Sequence, residues 1–135
     1  MPAQINPRAI FSQPQDVFQI LENGFGAGAH FFRLCAAWEA SAQSDARMHY
    51  LAIEPQPLSR AALKEALPGK DLPACAAQLL AQWPPLIPGF HSLSLSPRLT
   101  LTLVFGDLGN CLPQITGEFD AVISEVPLPT SALVL

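Results

Sequence analysis

Apolar and polar positions along the chain fall into two periods. Val17-Phe18-Gln19-Ile20-Leu21 is a short apolar run of the kind that suits a strand buried on both faces. From Ala29 to about Ala42, Phe31, Leu34, Cys35 and Trp38 recur at intervals of three and four, which predicts a helix with one apolar face. The polar stretch Ser41 to Arg47 ends it. His49-Tyr50-Leu51-Ala52-Ile53 predicts a second strand, closed by Glu54-Pro55. Ser59 can cap a helix that carries Leu63, Ala66 and Leu67 on one side and stops at Pro68-Gly69. Another helix is expected from Asp71, with Cys75, Leu79 and Leu80 facing in. It ends at Trp83-Pro84-Pro85, because two successive prolines cannot extend it. His91–Leu95 and Leu99–Phe105 alternate around Pro97-Arg98, the pattern of a hairpin, and Phe119–Ser124 reads as a last buried strand.

The order strand, helix, strand, helices, strand, strand predicts an α/β fold with a mostly parallel sheet and helices on both faces. Fourteen prolines are about twice the usual ~5%. Pro2, Pro7 and Pro14 make residues 1–16 an extended lead-in, followed by a single domain over 17–135.

Composition narrows the class. Charged residues make up 13% of the chain, against ~25% in ordinary soluble proteins, and the mean hydropathy is +0.28. That leaves ample apolar surface for a core and none of the charge excess of a disordered tail. The net charge is −4 and the seven basic residues are scattered singly, so this segment alone does not hold nucleic acid by phosphate neutralisation. No apolar run reaches the ~18–20 residues of a membrane span. The N-terminus also lacks the basic and then apolar stretches of a secretory signal. The expectation is a cytoplasmic protein with no membrane partner. Cys35, Cys75 and Cys111 stand 40 and 36 residues apart, which is neither a disulfide framework nor zinc spacing, and they read as small buried thiols. His30, His49 and His91 share no metal spacing, so no metal site is expected. Trp38 and Trp83 read as packing residues on helix faces.

In a sheet of this kind ligands sit beyond the carboxyl ends of the strands. The first strand runs into Glu22-Asn23-Gly24-Phe25-Gly26-Ala27-Gly28 and then directly into a helix. Gly24, Gly26 and Gly28 let the backbone turn sharply beneath a ligand, and the helix start offers unpaired N–H groups. The G-x-G-x-G spacing lacks the last glycine of a dinucleotide fingerprint, and Glu22 would oppose a phosphate while favouring a cationic group. Glu54, 26 residues after Gly28, ends the second strand, where a carboxylate can accept both hydroxyls of a ribose. Asp107, behind Gly106, stands where a carboxylate could accept from an adenine amino group. Glu125 follows the last strand on the same rim. Four acids on one rim suit a ligand bearing a positive charge and several hydroxyls, because buried carboxylates are costly unless paired.

Glu22, Gly24, Gly26, Gly28, Glu54 and Asp107 resemble the nucleoside-binding positions of class I S-adenosylmethionine-dependent methyltransferases. Several blocks occur in the order seen in one group: Gly24 to Phe32, His49 to Leu58, Trp83-Pro84, Gly89-Phe90-His91 and Leu99 to Asp107. That group is the methyltransferase half of the bacterial bifunctional tRNA 5-methylaminomethyl-2-thiouridine biosynthesis protein, and the resemblance spans residues 17 to about 129. It implies a Rossmann-like class I methyltransferase fold that binds S-adenosylmethionine and passes a methyl group to the aminomethyl group of a tRNA wobble uridine. It further implies that the three glycines pass under the methionine part of the cofactor, Glu54 holds the ribose, Asp107 holds the adenine, and Glu125 orients or deprotonates the acceptor amine. The family's acceptor segment reads Asp-Gly-Phe-Ala-Pro, where this chain has Glu125-Val126-Pro127-Leu128-Pro129. The family's sheet also continues with about three more strands, so the domain is expected to be incomplete after about four core strands, with an open edge that invites self-association. A FAD-dependent oxidoreductase half follows in the family as a partner domain, and nothing like it is found in these 135 residues. The departures leave a second reading open: a catalytically silent methyltransferase-like module that binds or assembles. A dinucleotide-binding domain is a third.

Overall fold

A computed structural model of the chain describes residues 7–67, 74–115 and 117–124. Their order is α1 (Pro7–Ile10), β1 (Val17–Asn23), α2 (Ala29–Ala40), β2 (Arg47–Glu54), α3 (Arg60–Ala66), α4 (Cys75–Gln82), β3 (Gly89–Ser96), β4 (Leu99–Phe105), α5 (Leu108–Cys111), a 3-10 turn (Leu112–Gln114) and β5 (Ala121–Ser124). One sheet holds all five strands in the order β3-β4-β2-β1-β5. β4, β2, β1 and β5 run parallel, and β3 is antiparallel to β4. This is the α/β, mostly parallel architecture expected, with four parallel strands and the antiparallel arm of the hairpin.

Strand alternation assigns each residue to one of two faces. Phe18, Ile20, Met48, Tyr50, Ala52, Leu99, Leu101, Leu103, Phe105 and Ile123 point to the same side. They are buried there with Phe31, Leu34, Cys35 and Trp38 of α2, Leu63 of α3 and Leu79 of α4. Aromatic edges knit this core: Phe31 meets Tyr50 at 4.8 Å and Phe11 meets Phe18 at 5.0 Å, both T-shaped. The opposite side carries a smaller cluster of Leu21, Ile53, Val104, Cys111 and Leu112 under α5. Nearer the strand starts that side turns polar, and Gln19, His49, Ser92, Thr100 and Thr102 line a shallow trough of about 310 Å³.

Helix ends follow local chemistry. The Ser59 hydroxyl accepts from the Ala62 N–H at 3.1 Å and caps α3. Ser41 closes α2, its N–H reaching the Trp38 carbonyl at 3.1 Å. Both indoles pack and are satisfied, Trp38 donating to Gln43 O and Trp83 to Leu58 O. Some expectations need correction. The lead-in is not wholly extended, since Pro7–Ile10 forms one helical turn with proline at its first position, where a missing N–H costs nothing. Phe11 behind it is buried. Ala66 is exposed rather than facing in. The last strand starts at Ala121, because the Asp120 carboxylate already accepts the Gln19 N–H at 2.7 Å in place of a backbone carbonyl. The expected helix start at Asp71 and the stop at Pro68-Gly69 lie outside the described residues. Cys35, Cys75 and Cys111 are free and buried. Among the described residues no helix is long and apolar enough to cross a membrane.

Candidate functional site

The parallel strands β1 and β2 end side by side, with Asn23 opposite Ile53. Beyond them opens a hollow of about 330 Å³, lined by Glu22, Asn23, the turn Gly24-Phe25-Gly26-Ala27, Ala29, His30, Glu54 and Ile123. The turn is fastened to β2 at two points. The Gly24 N–H donates to the Ile53 carbonyl at 2.7 Å, and the Gly26 N–H donates to Glu54 Oε1 at 2.8 Å. Glu54 Oε2 accepts from the Gln56 N–H at 3.0 Å. A carboxylate oxygen has two lone pairs, so both Glu54 oxygens can still accept from a ligand hydroxyl.

Gly28 starts α2 with φ 88°, a left-handed conformation that disfavours a side chain. A Cβ there would stand 3.1 Å from the Phe25 ring and 3.2 Å from the Phe32 ring. Phe25 in turn leans on Phe31 and Trp83, each at 5.9 Å, so the turn is seated on the main core. At Gly24 and Gly26 a Cβ would meet no atom of the described residues within 4 Å, so those residues leave the space above the turn open.

Glu22 is the one buried charged residue among those described, only 1% exposed. Its Oε1 accepts from the Tyr50 hydroxyl at 2.7 Å and its Oε2 pairs with His30 Nδ1 at 2.8 Å. Burial pushes the Glu22 carboxyl above its ordinary value against the opposing pull of these two hydrogen bonds and the His30 charge. Burial, and then the Glu22 charge, hold the Tyr50 hydroxyl well above the usual phenol value.

Of the acids named from the sequence, Glu22 and Glu54 thus share one hollow. Asp107 follows β4 on the same rim, next to Gly106, whose N–H donates to the Glu54 carbonyl at 3.1 Å. It is exposed and does not line the hollow, and its oxygens accept the Asn110 N–H at 2.8 Å and the Asn110 amide at 2.7 Å, capping α5. Glu125 lies outside the described residues. Two members of the site, His30 and Tyr50, are absent from the sequence-based set. Tyr50 could have been found by parity, since it stands two residues before Ala52, the register partner of Glu22, and shares its face. His30 carried a weaker signal, its place in the first turn of α2 right after the glycines.

No family profile matches the chain. Curated relatives do. Over 118 residues it is 38% identical to the tRNA 5-methylaminomethyl-2-thiouridine biosynthesis bifunctional protein MnmC of Magnetococcus marinus, covering 86% of this chain and 18% of that protein. It is 40% identical over 109 residues to the protein of the same name from Methylobacillus flagellatus, covering 79% of the chain and 17% of the relative. The chain is similar to a part of MnmC. The resemblance read from its motifs holds, and the chain spans less than a fifth of the length of these MnmC proteins. Among solved structures, the crystal structure of MNMC2 from Aquifex aeolicus superposes with a TM-score of 0.59 at 20% identity, covering 90% of this chain and 37% of the other. At that identity the likeness is one of fold, and it agrees with the Rossmann-like architecture.

Proposed function

We propose that this chain forms the S-adenosylmethionine-binding part of a methyltransferase unit that acts on the aminomethyl group of a tRNA wobble uridine. The observation that carries the reading is the hollow at the ends of β1 and β2, where a glycine turn with open space above it faces a strand-end carboxylate. Its volume of about 330 Å³ lies within the range of small-molecule sites. The residues fit a nucleoside: Glu54 keeps acceptor capacity for ribose hydroxyls, and the turn lets a chain of atoms lie close to the backbone. When bound, the sulfonium supplies a methyl group already activated for transfer. The protein's part is to hold and align the amine against it. Asp107, on the adjacent strand end, would take the adenine by turning its carboxylate away from Asn110. Glu125 is assigned to the acceptor amine as orienting group or base. The tRNA partner is taken from the name of the relatives, and the aminomethyl acceptor is what the motif resemblance implies. In this reading the protein works in the cytoplasm, alongside an oxidoreductase domain like the one implied by the family, and the edge beyond β5 is its surface for self-association.

Calorimetric titration with S-adenosylhomocysteine tests the binding step, and absence of any heat at about 0.1 mM protein and up to millimolar ligand would refute it. Transfer of a labelled methyl group to tRNA carrying the unmethylated aminomethyl uridine tests turnover. Binding without transfer would establish the second reading, a silent module, which the Glu125-Val126-Pro127 segment favours.

A further inference from the structure

Among the described residues, the lining of the hollow holds two carboxylates and one side chain able to carry positive charge, His30. From the sequence, Glu22 would itself face a cationic group of the ligand. In the structure each of its oxygens has an internal partner, Tyr50 or His30, and at 1% exposure the carboxylate has almost no surface to offer a ligand directly. What this buried acid presents to the hollow is therefore an imidazole, fixed through Nδ1. The His30 side chain is 34% exposed, and its Nε2 has no partner among the described residues.

The backbone around it points the same way. His30 sits in the first turn of the 12-residue α2, which has no acid in that turn and no side-chain cap. The N–H groups of Ala29, His30 and Phe31 accordingly lack helical partners. An imidazolium tip and a helix N-terminus both favour a negative group.

We infer that His30 is a positioning residue that holds the carboxylate of an aminocarboxylate chain attached to the nucleoside, an inference that rests on the cofactor reading above. With Glu22 ionised, Nδ1 donates its hydrogen to Oε2. A neutral ring then turns a lone pair from Nε2 toward the hollow, and only the imidazolium places an N–H there. Carboxylate binding follows the protonated form and weakens as pH rises. The charged and titratable groups around His30 are Glu22 and, behind it, Tyr50, together with Glu54 across the hollow and Arg33 one turn further along α2.

The test compares two thioether nucleosides on the full chain by calorimetry at pH 6 and pH 8. S-adenosylhomocysteine carries the aminocarboxylate chain, and methylthioadenosine lacks it. Effects common to both nucleosides cancel in the ratio. The expected result is a preference of about tenfold for S-adenosylhomocysteine at pH 6, of the size of one charge-assisted hydrogen bond, that shrinks toward pH 8. In His30→Asn the side-chain amide keeps the bond to Glu22 but removes the titrating tip, and the preference becomes smaller and independent of pH. A preference equal at both pH values in the native chain, or unchanged with its pH dependence in His30→Asn, overturns the inference while leaving the cofactor reading intact. Failure of both nucleosides to bind removes the reading and this inference together.

Discussion

The two faces of the sheet are built on different terms. The face under α2, α3 and α4 is a continuous aromatic and aliphatic layer, from Phe11 and Phe18 across to Trp83 and Phe105. The other is apolar only where α5 and the following turn cover it, and polar toward the strand starts, at Gln19, His49, Thr100 and Thr102. The packed face is also the one that carries Glu22 and Glu54 at its carboxyl end, because they continue the parity of Phe18-Ile20 and Tyr50-Ala52. Stability and candidate chemistry are therefore concentrated on one side of one layer, and the second face contributes the smaller share of each.

The largest expected effect tests that asymmetry directly. Leu101→Ala on the packed face opens a cavity in a site with no exposed surface and should cost about 3–4 kcal/mol in denaturant unfolding. Leu51→Ala on the other face, at a half-buried position, should cost about half as much. Equal losses would mean that the two layers share the load. Next comes the glycine turn. Gly28→Ala must adopt a left-handed conformation and press on Phe25 and Phe32, at a cost of about 2–3 kcal/mol. Gly26→Ala pays the backbone term alone, about 1 kcal/mol, and its stability loss should be clearly the smaller in thermal melts.

Tyr50→Phe sharpens the comparison for polar groups. It removes a donor from a buried carboxylate and should cost about 2 kcal/mol. Thr102→Ala in the polar trough should stay within about 0.5 kcal/mol. The smallest effect is one of pH. The Glu22 carboxyl holds its proton more tightly in the folded chain than at its ordinary value of 4.5. Stability therefore falls as pH rises from below that value until the buried group ionises, and no more is lost above. Melting temperatures measured between pH 4 and pH 7 should show this decline in the native chain and a flatter profile in Glu22→Gln.

Much of this architecture was readable from spacing. The α2 face of Phe31, Leu34, Cys35 and Trp38, the Ser59 cap and the hairpin turn at Pro97-Arg98 are local patterns, and each recurs in the structure. The rim position of the acids was legible for the same reason, since a carboxylate just after an apolar run must stand at a strand end. Their partners were not, because a hydrogen bond from Tyr50 to Glu22 joins residues 28 apart and depends on strand register, which single-strand patterns do not encode. Nor did spacing distinguish Asp107, whose carboxylate folds back onto Asn110 as a helix cap, from Glu54, which stays in the hollow.

The hydrogen bond from the Gly26 amide to Glu54 makes one carboxylate both a clamp on the turn and a wall of the hollow. Any guest that draws on the same oxygens competes with or reinforces that clamp. Occupancy and loop rigidity are thus a single equilibrium viewed from two sides, and a change that loosens the turn will be felt as lost affinity even where no contact to the guest has been touched.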